Sequence, residues 1–246
     1  MSSLNLVAHR GYALHYPENT LPAITAAVEA GAEYVEVDIQ LSSDEVPFLF
    51  HDRNLERLCG QSGALHDYSA SELGHFRASD KGRFGDKFKD NRITRLVTLI
   101  ELMQAYPHLT VFIELKRSSI EKFGIETMVR RVLSVLQSAR AQCVIISYNI
   151  ESLAYVQKEY GWPVGAVVDE WQERENENIK RLKPDYLFCD LDTLPPQGKL
   201  RFLDSHVAVF ECTDASQALA LAKRGVEFVE TFAIGEMLQQ TSASRA

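Results

Sequence analysis

Short apolar runs alternate along this chain with longer segments in which apolar positions recur every three or four residues. The short runs, at 4–8, 34–40, 47–50, 110–115, 144–147, 164–168, 186–189, 207–212 and 228–231, predict strands. The periodic segments, at 20–30, 98–106, 123–138, 150–160, 171–182, about 197–204 and 215–224, predict helices. The first helix takes Asn19 as its N-cap and ends before Gly31. Strict β–α alternation predicts a parallel sheet with helices packed outside it. About eight such units match a closed (β/α)8 TIM barrel, an α/β fold. The run at 47–50 is one strand too many, and reads as a hairpin arm folded back on the second strand. Residues 53–95 keep no period. They are expected to form a small insertion after the second strand that caps the mouth of the barrel. The whole chain, 1–246, is then a single barrel domain.

The polar residues of these runs sit at their C-terminal ends. Glu36 and Asp38 are two apart in a strand and so point to the same face. Two adjacent carboxylates repel unless a cation or a shared proton relieves them. Hard oxygen ligands at this spacing suit Mg²⁺ or Ca²⁺. A two-residue turn at Asp44-Glu45 would set Leu41 against Phe48, Ile39 against Phe50 and Asp38 against His51, although a glycine would suit position 45 better. Two other runs end in His9-Arg10-Gly11 and in Glu114-Leu115-Lys116. Together the strand ends present His9, Arg10, Glu36, Asp38, His51, Glu114 and Lys116. Buried charges need partners, and mixed signs around a cation suggest an anion site, most simply for a phosphate.

Charge and composition narrow the picture further. The 246 residues carry 26 basic and 34 acidic side chains, a net charge of −8, which argues against nucleic acid as the partner. The N-terminus shows no basic stretch followed by an apolar one, and no apolar run reaches membrane-spanning length. No signal peptide, no transmembrane segment and a cytoplasmic location are therefore expected. Cys59, Cys143, Cys189 and Cys212 form no C-x-x-C pair and are expected as reduced thiols. His15, His66, His75, His108 and His206 have no supporting neighbours, and residues 239–246 read as a frayed end.

Several motifs occur in order: His9-Arg10-Gly11, Pro17-Glu18-Asn19-Thr20, Glu36-Val37-Asp38, Leu41-Ser42-Ser43-Asp44 leading to His51-Asp52, and Glu114-Leu115-Lys116. With Asp169-Glu170-Trp171 and Gly225-Val226, they make the chain resemble the glycerophosphodiester phosphodiesterases of bacterial cytoplasmic type over nearly its whole length. The resemblance implies a TIM barrel with an insertion after the second strand, and hydrolysis of small-molecule glycerophosphodiesters to sn-glycerol 3-phosphate and an alcohol. It also implies a divalent cation, Mg²⁺ or Ca²⁺. By matching position, Glu36, Asp38 and Glu114 would be metal ligands, and His9 and His51 an acid/base pair. Arg10 and Lys116 would hold the phosphate, with Glu18 in support. The nucleophile would be water or the glycerol 2-hydroxyl. Two other readings are a lysophospholipase D-like hydrolase, with Phe76, Phe84 and Phe88 as an apolar lip, and a non-catalytic phosphate-ligand barrel. The chain departs from the family pattern at Phe210-Glu211-Cys212-Thr213 and at Thr231-Phe232. An inward Glu211 would favour a cationic head group or pair with an arginine.

Overall fold

Residues 4–243 are described by the computed structural model. They contain nine strands: β1 (Asn5–His9), β2 (Tyr34–Leu41), β3 (Pro47–Leu49), β4 (Thr110–Leu115), β5 (Cys143–Ser147), β6 (Val164–Val168), β7 (Tyr186–Asp190), β8 (His206–Phe210) and β9 (Phe228–Thr231). All but β3 are parallel, and β1 pairs with both β2 and β9, so eight strands close into a (β/α)8 barrel. The extra strand is accommodated along the length of β2. Residues 34–36 of β2 pair with β1, while 39–41 pair antiparallel with β3.

The period-two alternation separates two cores. Val35, Val37 and Ile39 face outward into the layer between barrel and helices. Val7, Phe112, Val144, Ile146, Val167, Phe188, Ala208 and Phe228 fill the interior, so the barrel is packed rather than hollow. Continuing the same parity toward the C-terminal ends places His9, Glu36, Glu114 and Glu230 above that apolar plug.

The helices at Ile150–Tyr160 and Ala215–Arg224 form as predicted, capped by the Asn149 and Asp214 side chains. Elsewhere the structure corrects the sequence expectation. Helix Leu21–Glu29 is capped by Thr20, whose side chain accepts from Ala23 N, and not by Asn19. Gly124, at φ 80°, divides the 123–138 segment from a separate helix, Arg117–Phe123, and the long helix is Ile125–Leu136. The 171–182 segment splits at Asn176 into a 3-10 turn, Trp171–Glu175, and the helix Glu177–Leu182. No helix forms at 197–204. Pro195 and Pro196 lack N–H donors, and Gly198 takes φ 96°. The last helix, Ile234–Ala243, includes residues expected to fray; 244–246 lie outside the described residues.

The hairpin register is also corrected. Ile39 lies opposite Leu49, Gln40 opposite Phe48 and Leu41 opposite Pro47, one residue from the expected pairing. The turn is a three-residue loop in which Glu45 N bonds to Ser42 O and Ser42 N to Val46 O. Glu45 takes the left-handed φ of 62° that a glycine usually supplies, and its carboxylate is held by Arg131 at 2.6–2.7 Å. The shift turns Phe48 and Phe50 away from the main core. They pack instead with Leu55, Leu58, Leu65 and Leu73 in a small core belonging to the insertion. Among the described residues no helix is long and apolar enough to cross a membrane.

Gly11 turns the chain directly after His9 and Arg10. It has φ 81°, and a Cβ there would meet the Ala23 backbone at 2.7 Å. Gly11→Ala is expected to destabilise the fold by about 2 kcal/mol or more, from combined backbone strain and overlap. Urea unfolding checks this, and a change within error of zero would contradict the close approach.

Candidate active site

The C-terminal ends of β1, β2, β4 and β9 surround a cavity of about 170 Å³, lined by His9, Arg10, Glu36, His51, Glu114, Lys116, Tyr148 and Glu230 among others. It adjoins a groove of about 580 Å³ between residues 51–57 and 114–118. A larger hollow of about 800 Å³ lies at the opposite end of the barrel, lined by residues such as Thr110, Cys143 and His206. Barrel active sites form at the C-terminal end, and only that end gathers the expected residues.

Asp38 is the centre of the site. Its Oδ2 accepts from Asn19 Nδ2 at 2.8 Å, and its backbone N–H donates to Asn19 Oδ1 at 3.0 Å. Lys116 Nζ lies 3.1 Å from Oδ1, and Arg10 Nε 3.1 Å from Oδ2. Burial opposes ionisation, but Lys116, Arg10, His51 and the Asn19 bond together hold this carboxyl far below the usual range. Asn19 reaches Asp38 because it sits at φ 55°, one residue before the helix cap. Arg10, at φ 57°, accepts the Asn19 backbone N–H on its carbonyl oxygen at 3.0 Å.

The neighbouring carboxylates behave in the opposite way. Burial, with Asp38, Glu230 and Glu114 nearby, pushes Glu36 well above its usual value. Burial also raises Glu114, although Lys116 Nζ is 3.0 Å away. Glu230 was not singled out in the sequence. It is 3% exposed, and burial with Glu211 and Glu114 raises it strongly. Its signal was available in the alternation, since Phe228 faces the interior and Glu230 is two residues later. Glu36 Oε1 and Glu230 Oε1 are both buried without a hydrogen-bond partner.

Each candidate histidine leans on a carboxylate. His9 Nδ1 lies 2.8 Å from Glu211 Oε2, while Nε2 is 3.8 Å from Glu36 and 3.9 Å from Glu230. Burial, then Arg10, lowers the His9 pKa, partly offset by Glu211. His51 Nδ1 lies 2.9 Å from Asp52 Oδ1. His51 is not opposite Asp38 in the ladder, where Phe50 N bonds to Asp38 O, yet it still enters the cavity just beyond β3. Glu18 accepts from both Arg57 and Arg10, at 2.7–3.2 Å. Arg57 also holds Asp52 at 2.7 and 2.9 Å. Arg57 lies in the aperiodic insertion, which is why the sequence did not mark it.

The structure therefore brings together all eight expected residues. Glu36, Asp38 and Glu114 offer oxygens within 4.8 Å of one another. With an unpartnered Glu36 oxygen and only hard donors, this set fits a divalent cation such as Mg²⁺ or Ca²⁺. Glu211 pairs with His9 and not with an arginine. Phe76 packs edge-on against Tyr68, and Phe84 and Phe88 are half-buried, with Phe88 against Tyr16.

The family model described as "Glycerophosphoryl diester phosphodiesterase family" matches residues 9–198. A glycerophosphodiester phosphodiesterase of Caldanaerobacter subterraneus subsp. tengcongensis is 33% identical over 153 residues, which is 62% of this chain and 61% of that protein. One from Bacillus altitudinis is 32% identical over the same shares. The chain thus spans about three-fifths of the length of these curated relatives. An Oleispira antarctica phosphodiesterase, solved in complex with the product sn-glycerol-3-phosphate, superposes with a TM-score of 0.83. It is 24% identical, with 98% of this chain and 97% of that one covered. A glycerophosphodiester phosphodiesterase from Thermotoga maritima superposes at 0.73, at 23% identity, covering 98% and 99%. At these identities the structural likeness is one of fold.

The raised Glu230 carboxyl has a consequence for stability. Above its ordinary value of 4.5, the unfolded side chain ionises freely, while the folded one must keep a proton or bear a buried charge. Its contribution to stability therefore falls as pH rises from 4.5 toward the folded value, and stays lost above it. Glu230→Gln removes that cost. In chelator-treated protein at pH 7, the variant is expected to be more stable by about 1 kcal/mol or more. The gain should shrink toward pH 4.5. Thermal unfolding measures it, and an unchanged midpoint at pH 7 would contradict the electrostatic reading.

Proposed function

The chain belongs to the glycerophosphoryl diester phosphodiesterase family, and from that premise we propose that it hydrolyses glycerophosphodiesters to sn-glycerol 3-phosphate and an alcohol. One observation carries the reading. One cavity is lined by Glu36, Glu114, His9, His51, Arg10 and Lys116, with Asp38 buried against that arginine and lysine and within cation-binding spacing of the two glutamates.

Glu36, Asp38 and Glu114 would hold the cation, Mg²⁺ or Ca²⁺. Bound there, it would offset negative charge developing on the phosphoryl oxygens. The remaining steps belong to the chain's own side chains. Arg10 and Lys116, now resting on Asp38 and Glu114, bind the non-bridging oxygens and stabilise their charge in the transition state. Each histidine has Nδ1 on a carboxylate, so Nε2 is the nitrogen free to exchange a proton with the substrate. One takes the proton of the nucleophile and the other gives one to the departing alkoxide. The pair serves attack by water or by the glycerol 2-hydroxyl equally. Glu18 keeps Arg10 and Arg57 in place. Four free thiols suit a reducing compartment such as the cytoplasm.

Release of glycerol 3-phosphate from a panel of glycerophosphodiesters is expected to stop in chelator and return with Mg²⁺ or Ca²⁺. Glu36→Gln and Glu114→Gln should weaken calorimetric cation binding while the barrel stays folded. Unchanged affinity in both variants would remove these residues as ligands.

His9→Ala and His51→Ala should both be nearly inactive on natural diesters and still bind the cation. A nitrophenyl phosphodiester needs little help from a general acid. It should rescue the variant lacking the acid and leave the other inactive. Loss of cation binding in His51→Ala, without rescue of either, would show His51 to be a ligand.

A further inference from the structure

An imidazole can take part in proton transfer only if its proton sits on the correct ring nitrogen, and its second hydrogen bond decides which. At His9 that bond runs to Glu211, whose Oε2 is 2.8 Å from Nδ1. Glu211 is itself pinned. Its other oxygen, Oε1, accepts the backbone N–H of Phe232 at 2.7 Å. The Phe232 ring lies flat on the imidazole, with centroids 4.7 Å apart and planes 9° from parallel. One carboxylate thus joins the residue after β8, the residue after β9 and the end of β1.

A carboxylate can only accept, so Nδ1 must carry the His9 proton. The lone pair of Nε2 is left facing the cavity, between Glu36 and Glu230 at 3.8 and 3.9 Å. The second histidine differs. Asp52 beside His51 is already engaged by Arg57, whereas His9 is the only ion-pair partner of Glu211 among the described residues.

We propose that Glu211 is the positioning residue for His9. It fixes the Nδ1–H tautomer and, with Phe232, the orientation of the ring, so that Nε2 is the reacting nitrogen. The effect on rate rests on the hydrolysis proposed above. The tautomer itself does not.

The substitution Glu211→Gln separates these statements. Glutamine has one acceptor oxygen, and the fixed Phe232 N–H requires it. The amide NH₂ must then face His9, making Nδ1 an acceptor and moving the proton to Nε2. Nitrogen NMR of ¹⁵N-histidine-labelled protein, with His9 identified by its absence in His9→Ala, should show a protonated Nδ1 and a bare Nε2 in the wild type. The Gln variant should show the reverse. Its kcat on a glycerophosphodiester should fall between about 10²- and 10⁴-fold with KM changed only a few-fold, as expected when a histidine is held in the wrong tautomer. Glu211→Ala, which frees the ring without imposing that tautomer, should keep more activity than Glu211→Gln. A purely structural role would make alanine the worse of the two. A wild-type His9 with a bare Nδ1 and its proton on Nε2, or wild-type kcat in Glu211→Gln, overturns the proposal. If the wild type hydrolyses no glycerophosphodiester, the proposed function fails, and the NMR result still decides the tautomer.

Discussion

Asp38 is held by three groups from two parts of the chain, Asn19 and Arg10 from the segment after β1 and Lys116 after β4, all at hydrogen-bonding or ion-pair distance. This neutralisation makes the rest of the site possible. Glu36 and Glu114 share its face of the barrel, and Glu230 closes the ring from β9. Were Asp38 not paired, four carboxylates would compete for protons in one low-dielectric pocket. Pairing divides them instead into one acid whose ionised form is favoured and three whose ionisation burial resists. Such an arrangement costs stability and creates an appetite for positive charge, which a divalent cation would satisfy.

The barrel supplies this site through parity alone. Interior positions are apolar along most of the barrel and become charged toward the C-terminal ends of β1, β2, β4 and β9. The aromatic plug of Phe112, Phe188 and Phe228 seals the floor, so water and ligand reach the charges only from the C-terminal end. The outward residues bind the strands to the helical layer. Substitutions at the charged ends can therefore change chemistry while leaving most of the packing untouched.

The mouth has a separate origin. It is built where the chain leaves β2, in a hairpin with a non-glycine left-handed residue and an insertion with its own small core. That core anchors the segment carrying Asp52 and Arg57, and Arg57 ties it to Glu18 on the first loop. On the far side, Glu211 and Phe232 grip His9. The two histidines are consequently supported in different ways, one by a clamp in the barrel wall and one by an ion-paired aspartate at the rim.

The period of the apolar pattern determined the eight parallel strands, because a buried strand needs apolar side chains on both faces and tolerates charge only where it ends. For the same reason His9, Glu36, Asp38, Glu114 and Lys116 could be placed together before any coordinates, and the motif order identified the family. Other features depend on groups far apart in the chain, which local periodicity does not report. Asn19 looked like a helix cap, but Asp38 offered its side chain a better partner and Thr20 took the cap. The hairpin register turned on whether Glu45 could adopt a left-handed φ, which Arg131, from a distant helix, supports. Glu211 was legible as an acid near the pocket, but its choice of His9 over an arginine was made by the close approach of β8, β9 and β1. Local sequence sets where polar groups must emerge from a buried strand; only the closed barrel, by juxtaposing strand ends, decides which of them neutralise one another.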